Sequence, residues 1–234
     1  MANVHEGHRK RVYKEFLENG LGHFPDHKVL ETLLFYVIPR ADTNEMGHRL
    51  IDHFGSISGV FDASYDMLLE VEGIGTHAAT LIHFMSALIQ RYMNDFTSQI
   101  TSLNDTGIAK EYFRYKFLCQ QTESIIMVCA GQNGRIVYCR TIAQGSPDTV
   151  SISAETVLKT ALRANASNVY LAHNHPSGIA VPSSQDMATT SLLYKELERM
   201  GILLADHIIV APDGVYSMKE QGMLPRGYAF RTRQ

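Results

Sequence analysis

The most informative segment of the chain is Leu171-Ala172-His173-Asn174-His175-Pro176-Ser177-Gly178, which is followed by Ser183 and Asp186. It begins at the end of an apolar run that predicts a buried strand. Side chains alternate across a strand, so His173 and His175 leave the same face of the sheet while Asn174 points away. Backbone geometry alone therefore predicts two nitrogen ligands side by side.

The residues after the two histidines predict a third ligand. A loop bounded by Pro176, Gly178 and Pro182 returns the chain to a helix whose first turn carries Asp186, where the helix dipole favours an ionised carboxylate. Two imidazoles, one carboxylate and an open position for water describe a catalytic zinc site, in which the metal lowers the pKa of water to about 7. Ser183-x-x-Asp186 is also the pattern of a helix N-terminal box. A packed core gains nothing from two adjacent imidazoles, however, so we favour metal binding.

The segments around this motif predict an α/β region. Ile125 to Ala130 and Arg135 to Ala143 flank the turn sequence Gly131-Gln132-Asn133-Gly134, so they predict a β-hairpin. Later elements alternate between helix and strand. We predict a helix from the cap Ser153 to about Asn165, a strand from Asn168 to Ala172, a helix from Ser183 or Ser184 to Met200, a strand from Ile202 to Ala211, and a short segment Val215-Tyr216-Ser217.

The first half of the chain predicts a separate helical domain. Apolar residues recur there at helical spacing, as at Val29, Leu30, Leu33, Leu34 and Val37. The polar stretch near residue 100 is rich in Ser, Thr and Asn and predicts a linker, and Asp105 or Thr106 can cap the next helix. We therefore predict a helical domain over residues 1–97, a linker over residues 98–104 and an α/β domain over residues 105–234.

Composition excludes several classes of protein. Hydrophobic residues make up 45% and charged residues 19% of the 234 residues, which excludes a disordered or fibrous chain. Apolar runs such as Leu33 to Ile38 are far shorter than the roughly 20 residues of a membrane helix, and the N-terminus has no apolar signal region. We expect a soluble, cytoplasmic protein with no membrane partner. The formal charge of −3 gives no global attraction to nucleic acid, so any such binding must be local.

The three cysteines predict neither a disulfide framework nor a thiolate zinc site. Cys119, Cys129 and Cys139 are ten residues apart and form no Cys-x-x-Cys pair. We expect free, buried thiols in a reducing compartment.

The histidine motif resembles the signature of a metalloprotease family. His173, His175, Ser183 and Asp186 have the spacing of the JAMM (JAB/MPN+) signature His-x-His-x7-Ser-x2-Asp, and His-Asn-His-Pro-Ser-Gly is similar to the bacterial RadC family. Residues 206–210 and Tyr216-Ser217 resemble the ends of RadC domains, and Gly145-Ser146 stands where that family has a Gly-rich turn. The resemblance covers essentially the whole chain. It implies an all-α N-terminal helix-hairpin-helix domain followed by an α/β (α+β, mixed-sheet) JAB/MPN-like domain.

The resemblance also implies roles for the matching residues. His173, His175 and Asp186 would bind one Zn²⁺ per chain, and Ser183 would steady the developing oxyanion. A JAMM enzyme also uses a glutamate at the start of an earlier strand as general base and acid. Glu123 immediately precedes the apolar run Ser124 to Ala130, and we favour it for that role.

Glu155 is the alternative base, although near a helix start it can simply favour the dipole. Asp206 and His207 are candidates for orienting a ligand imidazole, with a polar kink in a strand as the equal alternative. Two departures from the RadC pattern concern substrate recognition rather than the metal: Ile179-Ala180-Val181 replaces a more polar loop, and Ala154 stands where Arg is common.

Residues 68–81 of the helical half look like a helix-hairpin-helix. In that motif Gly73-Ile74-Gly75 would turn the backbone sharply and aim amide N–H groups at a phosphate. The flanking Glu70 and Glu72 count against tight DNA binding, whereas the basic cluster at residues 8–14 could compensate. DNA contact and a structural or protein-docking hairpin both remain open.

These observations lead to two hypotheses for function. The first is a zinc-dependent hydrolase of the RadC/JAMM type that cleaves a peptide or isopeptide bond in a protein substrate. The second is a DNA-associated binding or repair factor with a structural or vestigial metal site. Fe(II) oxygenase chemistry fits less well, because those sites usually place the carboxylate between the histidines in sequence. The sequence names neither the substrate nor the oligomeric state.

Overall fold

The computed structural model describes residues 4–39, 41–145, 153–176 and 178–224, without the side chains of residues 4–6. Ser146 and Ser177 of the motif segments, and residues 225–234 of the predicted second domain, lie outside these ranges. The chain divides into two compact units, residues 1–90 and 91–234. In the part described, none of the helices combines the length and the apolar character that crossing a bilayer requires.

The first unit is helical, as predicted. Its elements are α1 (Val4–Asn19), α2 (Asp26–Leu34), α3 (Thr43–Phe54), α4 (Ile57–Asp62), α5 (Tyr65–Glu70) and the first part of α6 (Thr76–Ser98). Asp42, Ser56 and Ser64 cap α3, α4 and α5 by accepting backbone N–H bonds, which satisfies donors that a helix start leaves unpaired. One apolar cluster with Leu30, Leu50 and Leu68 fills the space between these short helices.

A buried carboxylate ties the first three helices together. The side chain of Glu31 in α2 is 2% exposed. It lies 2.8 Å from Nε2 of His8 in α1 and accepts a hydrogen bond of 3.0 Å from Nδ2 of Asn44 in α3. Its two oxygens are thus paired, as burial of a carboxylate requires.

Helices α2 and α3 approach closely at a glycine. A Cβ atom placed on Gly47 would lie 2.3 Å from the carbonyl oxygen of His27, which belongs to the α2 backbone. Only a residue without a side chain allows this approach. Gly47 therefore sets the spacing of the two helices.

The second unit contains a mixed five-stranded sheet, which confirms the predicted α/β region. Its elements are α7 (Thr106–Lys116), β1 (Glu123–Ala130), β2 (Ile136–Gly145), α8 (Ala154–Arg163), β3 (Asn168–Asn174), α9 (Ser184–Arg199), β4 (Leu203–Ala211) and β5 (Gly214–Ser217). The strand order is β2-β1-β3-β4-β5; β3 and β4 are parallel and the other neighbours antiparallel. The predicted β-hairpin is β1–β2, and Asp105, Ser153 and Ser183 cap α7, α8 and α9 as expected.

Helices cover both faces of the sheet. One apolar cluster joins Met127 and Leu171 of the sheet to Val157 of α8 and Leu193 of α9. A second cluster joins Val128 and Ala172 to Phe113 of α7. Neighbouring residues of β1 and β3 thus contribute to opposite cores, which explains why the central residues of these strands are apolar on both faces rather than alternating.

The cysteines are free thiols, as predicted, but only one of the three is buried. Cys129 lies inside the sheet, whereas Cys119 and Cys139 are partly exposed. Burial, and secondarily the charge of Cys139, raises the pKa of the Cys129 thiol to about 11. Cys129 is therefore an inert core residue.

Strand β4 carries an irregularity that decides which of its polar residues face which core. Val169 pairs with Leu204, but Tyr170 pairs with Asp206, so Ala205 is an extra residue on β4. From that point Asp206 shares the face of Tyr170, and His207 shares the face of Leu171.

Asp206 anchors the turn that follows β5. Its Oδ1 atom accepts the backbone N–H bonds of His207 at 2.8 Å and Lys219 at 3.0 Å, and its Oδ2 atom accepts the hydroxyl of Ser217 at 2.5 Å. Burial raises the pKa of Asp206, although these three bonds oppose that shift.

We predict that Asp206→Ala lowers the free energy of unfolding by on the order of 3 kcal/mol, because it leaves buried donors unpaired. Asp206→Asn should cost less, since an amide can still accept at one atom and donate to Ser217 at the other. Urea unfolding of both variants measures the difference. Equal stability of Asp206→Ala and the wild type would contradict the anchoring role.

We also predict that Gly47→Ala destabilises the first unit by about 1–3 kcal/mol, because the new methyl group meets backbone rather than a movable side chain. Gly22→Ala is the matched control. Nothing lies within 4 Å of a Cβ atom at Gly22, so stability there should hold or rise by up to about 1 kcal/mol. Thermal unfolding of the two variants tests this, and similar behaviour of both would refute it.

Candidate metal centre

The candidate site lies where β1 begins and β3 ends. The two strands are antiparallel and Ile125 pairs with His173. One step of two residues along each strand leads from this pair to Glu123 and to His175, on the same face of the sheet. Strand register therefore brings together Glu123 and His175, which are 52 positions apart in the chain.

Asn174 secures this register from the opposite face. Its Oδ1 atom accepts the backbone N–H of Ser124 at 2.8 Å, and its Nδ2 atom donates to the carbonyl oxygen of Thr122 at 3.1 Å. These bonds hold the beginning of β1 against the end of β3. Asn174 is a residue for which the sequence analysis gave only an orientation, away from the histidines.

The two imidazoles face each other. The Nε2 atoms of His173 and His175 are 2.9 Å apart. The Nδ1 atom of His175 lies 2.9 Å from the carbonyl oxygen of Ile179. A carbonyl can only accept, so Nδ1 of His175 carries the proton and Nε2 presents a lone pair in the neutral ring. The bend of the loop at Gly178, whose N–H donates to the His175 carbonyl oxygen at 3.2 Å, brings Ile179 into reach.

Asp186 divides its two oxygens between the helix cap and the site. Oδ2 accepts the backbone N–H of Ser183 at 2.7 Å and the Ser183 hydroxyl at 2.6 Å, while the Asp186 N–H donates back to Ser183 Oγ at 3.1 Å. This is the predicted N-terminal box. Oδ1 lies 3.4 Å from Nε2 of His173. Asp186 therefore takes part in the helix cap with one oxygen and lies near His173, as a metal ligand would, with the other.

The environment of Asp186 favours its charged form. Burial alone would raise the pKa of Asp186, but the hydrogen bond and charge of His173, together with the two bonds from Ser183, hold that pKa well below its usual range. An ionised carboxylate beside an imidazole nitrogen is suited to a cation.

Glu123, His173 and His175 form a group of side chains able to hold a metal ion. One ligand atom of each lies within 4.8 Å of the others. Neutral imidazole nitrogens and carboxylate oxygens are the ligands of catalytic zinc sites, so these residues, with Asp186 beside them, fit the zinc ion that the sequence motif suggests. Which of the two carboxylates is a ligand and which is the base stays a prediction.

Glu155, the alternative base, lies elsewhere. It belongs to the first turn of α8 and forms an ion pair with Lys159 one turn later on the same helix. Its side chain is 73% exposed. Glu155 is not in the metal-competent group found among the described residues.

His207 and Asp206 face opposite sides of the sheet, although they are adjacent in sequence. Nε2 of His207 lies 3.0 Å from Nδ1 of His173, so His207 contacts a candidate ligand from behind. Asp206 points to the other face, where its hydrogen bonds serve the turn at Ser217 and Lys219. Sequence reasoning paired the two residues, but side chains alternate along a strand and only one of two neighbours can face the site.

Burial, reinforced by the charge of His173, lowers the pKa of His207 to about 3. The imidazole of His207 is consequently neutral. Thr190, which the sequence analysis did not consider, lies behind it: its Oγ1 is 2.6 Å from Nδ1 of His207 and 2.6 Å from the carbonyl oxygen of Asp186. Its position four residues after Asp186 on a helix is the signal that could have indicated it.

The predicted phosphate-binding glycines belong to the first unit, between α5 and α6. Gly73 has φ +89, which glycine adopts freely, and its turn is held by Arg49, whose Nη1 donates to the Glu72 carbonyl oxygen at 3.1 Å. In the basic cluster, Arg9 donates to the carbonyl oxygens of Ile38 and Ala41. The helix-hairpin-helix assignment and DNA contact stay predictions.

Comparisons with known proteins indicate the family of this chain. A family model described as a RadC-like JAB domain matches residues 103–223. Three curated bacterial proteins, each named only as a UPF0758 protein, are similar along nearly the whole chain. The relative from Fusobacterium nucleatum is 29% identical and is aligned over 94% of this chain and 97% of its own.

The relative from Acinetobacter baylyi is 30% identical over 96% of this chain and 83% of its own, and that from Ruegeria pomeroyi is 30% identical over 96% of this chain and 100% of its own. The family model covers the sheet, the histidine motif and α9. The chain therefore belongs to the RadC-like JAB domain family.

Proposed function

We propose that the protein is a zinc-dependent hydrolase that cleaves peptide or isopeptide bonds. The observation that carries the proposal is the convergence of Glu123, His173 and His175 within 4.8 Å, with Oδ1 of Asp186 only 3.4 Å from Nε2 of His173. If these acidic and imidazole side chains served packing alone, they would not place so many hydrogen-bond acceptors around one point.

His173, His175 and Asp186 would hold the metal in this proposal. A zinc ion bound there supplies Lewis acidity and makes water nucleophilic near neutral pH. The His175 tautomer is suited to this role because its Nδ1–H donates to the carbonyl oxygen of Ile179 and its Nε2 presents a lone pair. Asp186 is kept ionised, and the cap at Ser183 fixes the direction of its free oxygen.

Glu123 would carry the proton in the reaction. Its carboxylate can accept a proton from a water molecule held among these side chains and pass it to the leaving amine, which is general base and then general acid catalysis. Ser183 has one hydroxyl proton, which it donates to Asp186. To steady an oxyanion, it would redirect that proton from Asp186 to the substrate.

We expect about one zinc per chain in the purified wild-type protein and far less in His175→Ala, because that variant lacks a nitrogen ligand. His23→Ala, which removes an exposed histidine of the first unit, should retain the wild-type zinc content. Elemental analysis of protein purified without chelator measures all three. Wild type that takes up no zinc even when zinc is added would overturn the metal assignment.

We expect Glu123→Gln to keep its zinc and to lose turnover by about 10²–10⁴-fold, the usual contribution of a general base. Glu155→Gln should remain active, since Glu155 pairs with Lys159 and lies outside the cluster. Cleavage of a complex peptide mixture, followed by mass spectrometry, reports the activity. The opposite result for the two glutamates would transfer the role to Glu155.

A further inference from the structure

His207 is a buried imidazole that the proposed reaction does not use. It is 0% exposed and is neutral because of its burial. Both of its ring nitrogens have partners: Nε2 lies 3.0 Å from Nδ1 of His173, and Nδ1 lies 2.6 Å from Oγ1 of Thr190. A neutral imidazole donates at one nitrogen and accepts at the other, so its two neighbours must be complementary.

The hydroxyl of Thr190 favours one direction for the hydrogen bonds of this chain. It has one proton and lies 2.6 Å from the Asp186 carbonyl oxygen, which can only accept. The sulfur of Met218, at 3.6 Å, is a weak acceptor by comparison. Thr32 makes the same bond to the carbonyl oxygen four residues earlier, Lys28, at 2.7 Å. A second helical threonine of this protein therefore donates to its i−4 carbonyl in the same way.

The remaining protons follow from that first bond. When the Thr190 hydroxyl donates to the backbone carbonyl oxygen of Asp186, Oγ1 can only accept from His207, so Nδ1 of His207 carries the hydrogen. Nε2 of His207 then has a lone pair and accepts from Nδ1 of His173. The Nε2 atom of His173 is then left without a proton, 2.9 Å from the Nε2 lone pair of His175 and 3.4 Å from Oδ1 of Asp186. Three acceptors this close require a cation among them, so this proton pattern belongs to the metal-bound protein.

We infer that Thr190 and His207 are positioning residues that hold His173 in the tautomer whose Nε2 is free for a metal ion. The inference rests on the proposed function, because only a bound cation makes an unprotonated Nε2 of His173 favourable beside His175 and Asp186. His175 obtains the same tautomer from a backbone carbonyl, the common partner of a ligand histidine. His173 obtains it from His207 of β4, which is supported in turn by Thr190 on the helix of Asp186.

Loss of the Thr190 hydroxyl would release this arrangement. In Thr190→Val nothing accepts from Nδ1 of His207, and a buried N–H without a partner is costly. His207 would then carry its hydrogen on Nε2 and donate it to His173. The hydrogen of His173 would move to its own Nε2, the atom that must bind the metal.

The test compares the full-length wild type with Thr190→Val, Thr190→Ser and Thr32→Val. Nitrogen-15 NMR of the histidine rings in the zinc-loaded protein gives the tautomers, and competition with a chromophoric chelator gives the zinc affinity. We expect Nδ1–H on His173 and His207 in the wild type. Thr190→Val should bind zinc about 10–100-fold more weakly, the usual effect of losing such a partner. Thr190→Ser should restore wild-type affinity because it retains the hydroxyl.

Thr32→Val is the matched control, since it deletes the same type of helix bond in the first unit and should leave zinc affinity unchanged. Thermal unfolding of all variants verifies that they are folded. A wild-type His207 with its hydrogen on Nε2 would overturn the inference, as would a folded Thr190→Val with wild-type zinc affinity. If the wild type binds no zinc, the proposed function fails. If it binds zinc and a folded Thr190→Val binds zinc equally tightly, only the inference about Thr190 fails.

Discussion

The antiparallel pairing of β1 with β3 is the constraint on which the candidate site depends. With Ile125 opposite His173, Glu123 and His175 lie on one face of the sheet, beside the start of α9. A shift of one residue would turn Glu123 to the other face, because side chains alternate along a strand. The apolar core on each face and the Asn174 bonds to β1 both resist such a shift.

The irregularity in β4 has a comparable effect on the residues behind the site. If Ala205 instead paired with Tyr170 in a regular ladder, Asp206 would pair with Leu171 and face the candidate ligands, and His207 would face α7. The inserted residue exchanges these faces and gives each polar group a distinct function. A carboxylate then anchors the β5 turn, and a neutral imidazole contacts His173.

Helix α9 connects the cap, the candidate ligand and the support behind it. Ser183 caps the helix through Asp186, and Thr190 lies one turn further along, bonded to the Asp186 carbonyl oxygen and to His207. The three side chains share one rigid helix, so their relative positions vary little. The first unit is held together differently. Its short helices are capped, the buried carboxylate of Glu31 links them, and α2 and α3 pack closely at Gly47.

The sequence by itself determined the order and type of the elements, the helix caps, the hairpin and the residues of the histidine motif. These are local properties, set by side-chain period, turn residues and the donors at a helix start. Tertiary structure alone decided strand register, the extra residue in β4 and the contacts of Asp206, His207 and Thr190. Those depend on how distant segments pack, and no local pattern in one strand reveals where its neighbour carries an inserted residue.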